Sequence, residues 1–276
     1  MTESLMYAFM AVDEPLDELQ MAHVQGLSSW SCDSPVSLVA SSAAKPFHAD
    51  PRALMEQYFD LHLALSPWGT REVIVRLPQD CLSVPLARRY GVEAWSVSEH
   101  TLVVLRTDFA EEAAEAPVEV MLGRLASVRT ELMAGDRRAL YLAWLASLGR
   151  PDHYGIQELQ ELESEVEPPV PAGLTALGPG LCSLAEVLCV DPRLLRFAGR
   201  TSPDVQSHSQ EHQQKLSQWI HQLPDVDKNR LLLQALQGAA EVPVRVRRPL
   251  PLSRASHRSV ADLLRAAVAP SCVDAA

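Results

Sequence analysis

His208 and His212 lie four residues apart, a spacing that lets one helical face present two imidazoles to a metal ion. His221 follows nine residues later, near the same face. A catalytic zinc site also needs a third ligand and a carboxylate base. Glu211 is adjacent, yet the His-Glu-x-x-His order is absent. The surrounding run is rich in Ser, Gln and His, so a polar surface is the simpler account, and neither metal nor cofactor is expected. His48 beside Asp50 is a second arrangement with possible chemistry, because a loop histidine near a carboxylate can act as a general base. With Arg71 it would furnish an enzyme site between two structural units. No Gly-x-Ser-x-Gly nucleophile motif accompanies it.

Cys81 follows Asp80 after an expected strand, where reactive thiols occur, although small buried cysteines are far commoner. Residues 173–180 hold three glycines before a helix, but lack the Lys-Ser/Thr of a phosphate-binding loop. They read as a flexible joint. His62 flanks an apolar stripe and reads as a half-buried, satisfied residue. Tyr58, Trp68 and Arg71 are the interaction candidates, since Trp and Arg are enriched where binding energy concentrates. Trp68 falls in a turn; its alternative is packing over a sheet edge. Arg245, Arg247, Arg248, Arg254 and Arg258 make the end of the chain basic without interleaved aromatics, which gives no sign of base stacking. A solvated tail, or one docked on the chain's own acidic stretches 111–119 and 158–167, accounts for them.

The elements that must position these residues follow from apolar spacing. Strands are expected at 5–12, 36–40, 71–77, 94–97 and 101–106, the last two as a hairpin turning at 98–100. Helices are expected at 15–26, 51–66 and 84–90. Asp50 and Pro51 supply a cap and a first-turn proline, and Leu54, Tyr58, Leu61 and Leu65 supply an apolar stripe. The first strand-to-helix turn is Asp13-Glu14-Pro15, not glycine-rich, so a doubly wound nucleotide fold fits poorly. A single small sheet with helices on one face fits better. From residue 117 the pattern is helical: 117–134, 136–148, 179–189, 192–200, 211–223, 225–237 and 259–268. The class is therefore α+β, a mixed α/β unit at 1–109 followed by a mainly helical unit. The helical part divides into a hairpin at 110–166 packed on the sheet, a Pro/Gly linker at 167–180 and a C-terminal unit with a basic tail at 181–276.

Net charge is -11, which disfavours phosphate backbones and anionic lipid. Five widely spaced cysteines form neither a secreted disulfide framework nor a zinc ribbon. The first ten residues lack a basic start and an adequate apolar core, so no signal peptide is expected. The most apolar run, 139–148, is about half of what a membrane span requires.

Leu54-Met55-Glu56-Gln57-Tyr58-Phe59-Asp60, Trp68-Gly69-Thr70-Arg71 and Val75-Arg76-Leu77-Pro78 resemble a family of bacterial proteins without assigned function. Leu140-Tyr141-Leu142-Ala143-Trp144-Leu145, Pro168-Pro169-Val170-Pro171-Ala172-Gly173-Leu174 and Ser259-Val260-Ala261-Asp262-Leu263-Leu264 fit it as well. The resemblance spans about residues 5–268 and implies no catalytic residues. It differs at 38–48, where relatives have an aromatic, polar stretch, and at the end, where they continue into a long charged helical region. A C-terminally shortened member of that family is the expectation. The reading is thus a non-enzymatic protein-binding or adaptor module of the bacterial cytoplasm, with a protein partner, no membrane and no nucleic acid. The enzyme reading through His48, Asp50 and Arg71 and the metal reading through His208 and His212 stand as alternatives.

Overall fold

A computed structural model describes residues 5–28, 34–41, 49–108, 117–203 and 258–268. Six strands form one antiparallel sheet: β1 Met6–Met10, β2 Ser37–Ser41, β3 Leu61–Leu65, β4 Arg71–Pro78, β5 Glu93–Val97 and β6 His100–Thr107, ordered β2-β1-β3-β4-β6-β5. Helices α1 Glu18–Ser28, α2 Pro51–Gln57 and α3 Val84–Arg88 interleave with them. After the sheet come α4 Val118–Met133, α5 Arg138–Ser147, α6 Ile156–Glu161, α7 Pro179–Val187, α8 Pro192–Gly199 and α9 Val260–Val268. The α+β class holds, and no helix among the described residues is long and apolar enough to cross a membrane.

Helix starts follow local chemistry. Asp50 and Asp191 accept the amides of Arg52 and Arg193 at 2.9 and 2.8 Å, each just ahead of a first-turn proline. Asp17 and Gln20 exchange side-chain-to-backbone bonds ahead of α1, a reciprocal cap. Between α4 and α5 the chain reverses at Gly135, whose φ of 89° suits glycine, and Asp136 accepts the amide of Arg138 at 2.8 Å.

The helix expected over 51–66 ends at Gln57, and Leu61–Leu65 is instead a central strand. The Leu54/Tyr58/Leu61/Leu65 spacing is compatible with a helix, but Leu61-His62-Leu63-Ala64-Leu65 also alternates with period two. Pairing with β1 on one side and β4 on the other decides between them. This is tertiary context overriding local pattern.

The sheet is covered on both faces, not on one as expected. Across one face runs the row Phe9, His62, Ile74 and Val104, packed under Val24 of α1 and Leu54 and Met55 of α2. Across the other run Leu63, Val73, Val75, Val103 and Leu105, packed under α4 and α5. α4 turns Val118, Leu122, Leu125, Val128 and Leu132 inward at helical spacing. That second core continues through Leu184 of α7 and Leu194 of α8 to Leu263 and Leu264 of α9. Each such fully buried Leu or Val stabilises by roughly 1.5–3 kcal/mol.

Residues 167–174, which the sequence reads as a stiff connection, contribute Val170, Ala172 and Leu174 to the buried interior. Glu165 and Glu167 pair with the chain at 258–260: Val260 donates to the Glu165 carbonyl at 2.9 Å, and Glu167 to that of Arg258 at 3.1 Å. The helices expected at 211–223 and 225–237 lie outside the described residues.

Candidate functional site

β3 and β4 are joined by a tight hairpin. Ser66 donates to the Thr70 carbonyl at 2.9 Å, its Oγ accepts the Trp68 amide at 3.1 Å, and Gly69 takes φ 90°. Pro67 fixes the turn entry and Gly69 the left-handed exit, a combination the sequence announces. The result holds Trp68 at 77% exposure on a well-braced backbone. The alternative placement, over the sheet edge, is excluded.

Below the tip, on the α1/α2 face, lies a strip of matched charge. Asp108 accepts Thr70 Oγ1 at 2.9 Å and Arg106 at 2.8 and 3.1 Å. Glu72 sits opposite Arg106 in the ladder. Arg52 forms a two-pronged pair with Glu93 at 2.7 and 2.9 Å and stacks 4.9 Å over Trp95, whose indole donates to Glu56 at 2.7 Å. Burial raises the Glu72 carboxyl above its ordinary range, against the pull of Arg52 and Arg106. The side-chain bond from Arg52 lowers Glu93, and that from Arg106 lowers Asp108. These exposed pairs add little stability; they define a polar rim. Sequence reading missed most of them because Thr70–Asp108, Arg52–Glu93 and Glu56–Trp95 join residues 38, 41 and 39 positions apart.

The other candidates have structural partners. Tyr58 hydroxyl meets His23 Nδ1, with the rings edge-on. Arg71 is 7% exposed, points to the α4/α5 face and donates to the Val187 carbonyl at 3.2 Å. Tyr58 precedes β3 while Trp68 follows it, so the three do not converge. Asp50 caps α2 on the opposite face from Arg71, and these two are not brought together. His48, His208 and His212 lie outside the described residues. Among the described residues no group of three His, Cys, Asp or Glu side chains could hold a metal ion.

Two buried networks tie the body together. Asp60 Oδ2 accepts the amides of Val12 and Asp13 at 2.8 and 3.1 Å, and Oδ1 accepts Arg76 at 3.0 and 3.2 Å. Arg129 of α4 lies 3.6 Å from Asp60, and donates to Asp13 at 2.7 Å and to the Arg76 carbonyl at 2.8 Å. The second network centres on Glu167, which accepts Arg258 at 2.6 and 2.8 Å and the Tyr141 hydroxyl. One arginine of the basic stretch thus docks on the acidic stretch, and Arg265 reaches Glu163 at 2.6 Å.

His62 is fully buried, not half-buried as expected. Its Nδ1–H donates to the Ala8 carbonyl at 3.0 Å, its ring stacks on Phe9 at 4.3 Å, and Nε2 has no partner. Burial pushes its pKa down from 6.5 to about 4. The unfolded chain therefore binds the proton more readily between those values. The stability contribution is complete above pH 6.5 and is lost as pH falls toward 4, about 3 kcal/mol in all. His62→Phe is expected to remove that acid limb, measured as urea stability against pH. An unchanged slope between pH 6.5 and 4 would refute the assignment.

No protein family, no curated protein and no solved structure matches the chain.

Proposed function

We propose that the chain is a non-enzymatic protein-binding module whose contact centre is Trp68 at the β3–β4 tip. The observation that carries this reading is the exposure of a large aromatic side chain on a preorganised turn. Little conformational freedom remains to be lost on binding, and Trp is the residue type most enriched at energetic centres of interfaces. The neighbouring strip of Asp108, Arg106, Glu72, Arg52 and Glu93 supplies the polar surround that such centres carry. A bulk charge of -11 argues for a protein partner over nucleic acid or an anionic membrane. Five widely spaced cysteines, without the spacing of a disulfide framework, suit a reducing compartment such as the cytoplasm.

Trp68→Ala is expected to weaken partner binding by about 30-fold, the equivalent of about 2 kcal/mol for a central contact. Stability is expected to change by less than about 0.5 kcal/mol, because the side chain is exposed. The test is affinity capture from native lysate with wild type and variant at equal concentration, followed by titration of any protein recovered. Equal recovery with Trp68→Ala would refute the reading.

A further inference from the structure

α8 turns Leu194 and Ala198 inward and leaves Arg196 and Arg200, one helical turn apart, exposed. Among the described residues, no carboxylate lies within ion-pair distance of either. From Arg138 onward the other described arginines differ. Arg138 holds Asp136, Arg150 holds Asp152, Arg193 holds Asp152 and Asp191, Arg258 holds Glu167, and Arg265 holds Glu163. Arg200 instead lies 5.3 Å from the Phe197 ring centroid. A basic helix face is thus left unanswered on a chain whose net charge is -11.

The complementary surface is on the same molecule. α6 buries no residue. Glu161 at its end and Glu165 just beyond are exposed, and neither side chain meets a cation among the described residues. Their neighbours are engaged: Glu163 takes Arg265, and Glu158 takes the Gly155 amide at 2.6 Å. Ile156 and Val166, 80% and 64% exposed, stand at the two ends of this acidic stretch. α9 packs on both α6 and α8, so the acidic and basic surfaces flank one element.

We propose that a second copy of this chain covers these surfaces, in a two-fold dimer in which Arg196 and Arg200 of each copy pair with Glu161 and Glu165 of the other. Surfaces on either side of one element meet their opposites about a single axis, and closed two-fold pairs are the commonest assembly. Each copy supplies both signs, so the contact leaves none of these charges over, and Ile156 and Val166 are covered with them. Repulsion between two acidic chains is screened beyond about 8 Å at physiological salt, whereas pairs in contact persist. This assembly is independent of Trp68 and stands or falls separately.

The test is sedimentation velocity of the full chain over a wide range of concentration, beside thermal melts. Wild type is expected to dimerise reversibly, and Trp68→Ala to leave dimerisation unchanged. Arg196→Glu with Arg200→Glu, and separately Glu161→Arg with Glu165→Arg, are each expected to weaken it at least about 30-fold, since every pair becomes a repulsion. Mixed in equal amounts, these two double variants are expected to dimerise with each other as tightly as wild type, because each reversed surface then meets its opposite. Should a reversed variant fail to fold, Arg196→Gln with Arg200→Gln, expected to weaken dimerisation about tenfold at an unchanged melting temperature, decides in its place. A wild type that stays monomeric throughout, dimers indifferent to these changes, or reversed variants that remain apart when mixed would overturn the proposal. So would a lowered melting temperature with association unchanged, the sign of arginines that serve only the α8 dipole.

Discussion

Arg258→Ala is expected to destabilise the protein by about 3–5 kcal/mol, the cost of stripping one partner from a buried ion pair. The Glu167 side chain has no exposure and the Arg258 side chain 13%, so water cannot replace the lost guanidinium. Among the described residues, the variant leaves a buried carboxylate answered only by Tyr141. The phenol offers one proton, and burial, then the Glu167 charge, raises its pKa. The guanidinium also lies 5.0 Å from the Phe197 ring centroid and 3.4 Å from Thr201 Oγ1, contacts that vanish with it. Replacing both partners, as Glu167→Gln with Arg258→Met, is expected to recover much of the loss, because no orphan charge remains. Urea denaturation of the two variants beside wild type measures this. A cost below about 1 kcal/mol for Arg258→Ala would show that the pair is solvated.

Asp60→Ala is expected to cost a similar amount, about 3–5 kcal/mol, for a related reason. Its carboxylate answers Arg76, two backbone amides and, at longer range, Arg129. Arg129 retains Asp13 in the variant, whereas Arg76 and the amides of Val12 and Asp13 lose their acceptor. Burial raises the Asp60 pKa, but the Asp13 amide, Arg76, the Val12 amide and Arg129 outweigh it, and the net shift is downward. A carboxyl lowered on folding contributes stability above its unfolded pKa of about 3.9 and loses it as pH falls through the folded value. Asp60→Asn should therefore flatten the acid limb below about pH 4 while leaving the His62 limb above it. Urea titrations across pH separate the two; loss of the upper limb in Asp60→Asn would show that the groups are coupled.

Much of this fold is legible in the residues. Asp50-Pro51, Asp191-Pro192 and Gly135-Asp136 mark helix boundaries because their chemistry is local. Trp68 is placed in a turn by Pro67 and Gly69 for the same reason. Leu61–Leu65 is misread because a short apolar run satisfies both periods, and only its neighbours β1 and β4 decide. The burial of Glu167 is equally invisible. A charged residue in a proline-rich run reads as solvated until Arg258, 91 residues later, is placed against it. The Asp60 network draws on Asp13, Arg76 and Arg129, which no single stretch of chain groups together.

The docking of Arg258 on Glu167 and Thr201 has a consequence for how this chain tolerates change. The backbone pairing beside it is in fixed register, with the Val260 amide on the Glu165 carbonyl and the Glu167 amide on that of Arg258. One extra residue at 165–167 or 258–260 would slip that register and pull a carboxylate off its guanidinium.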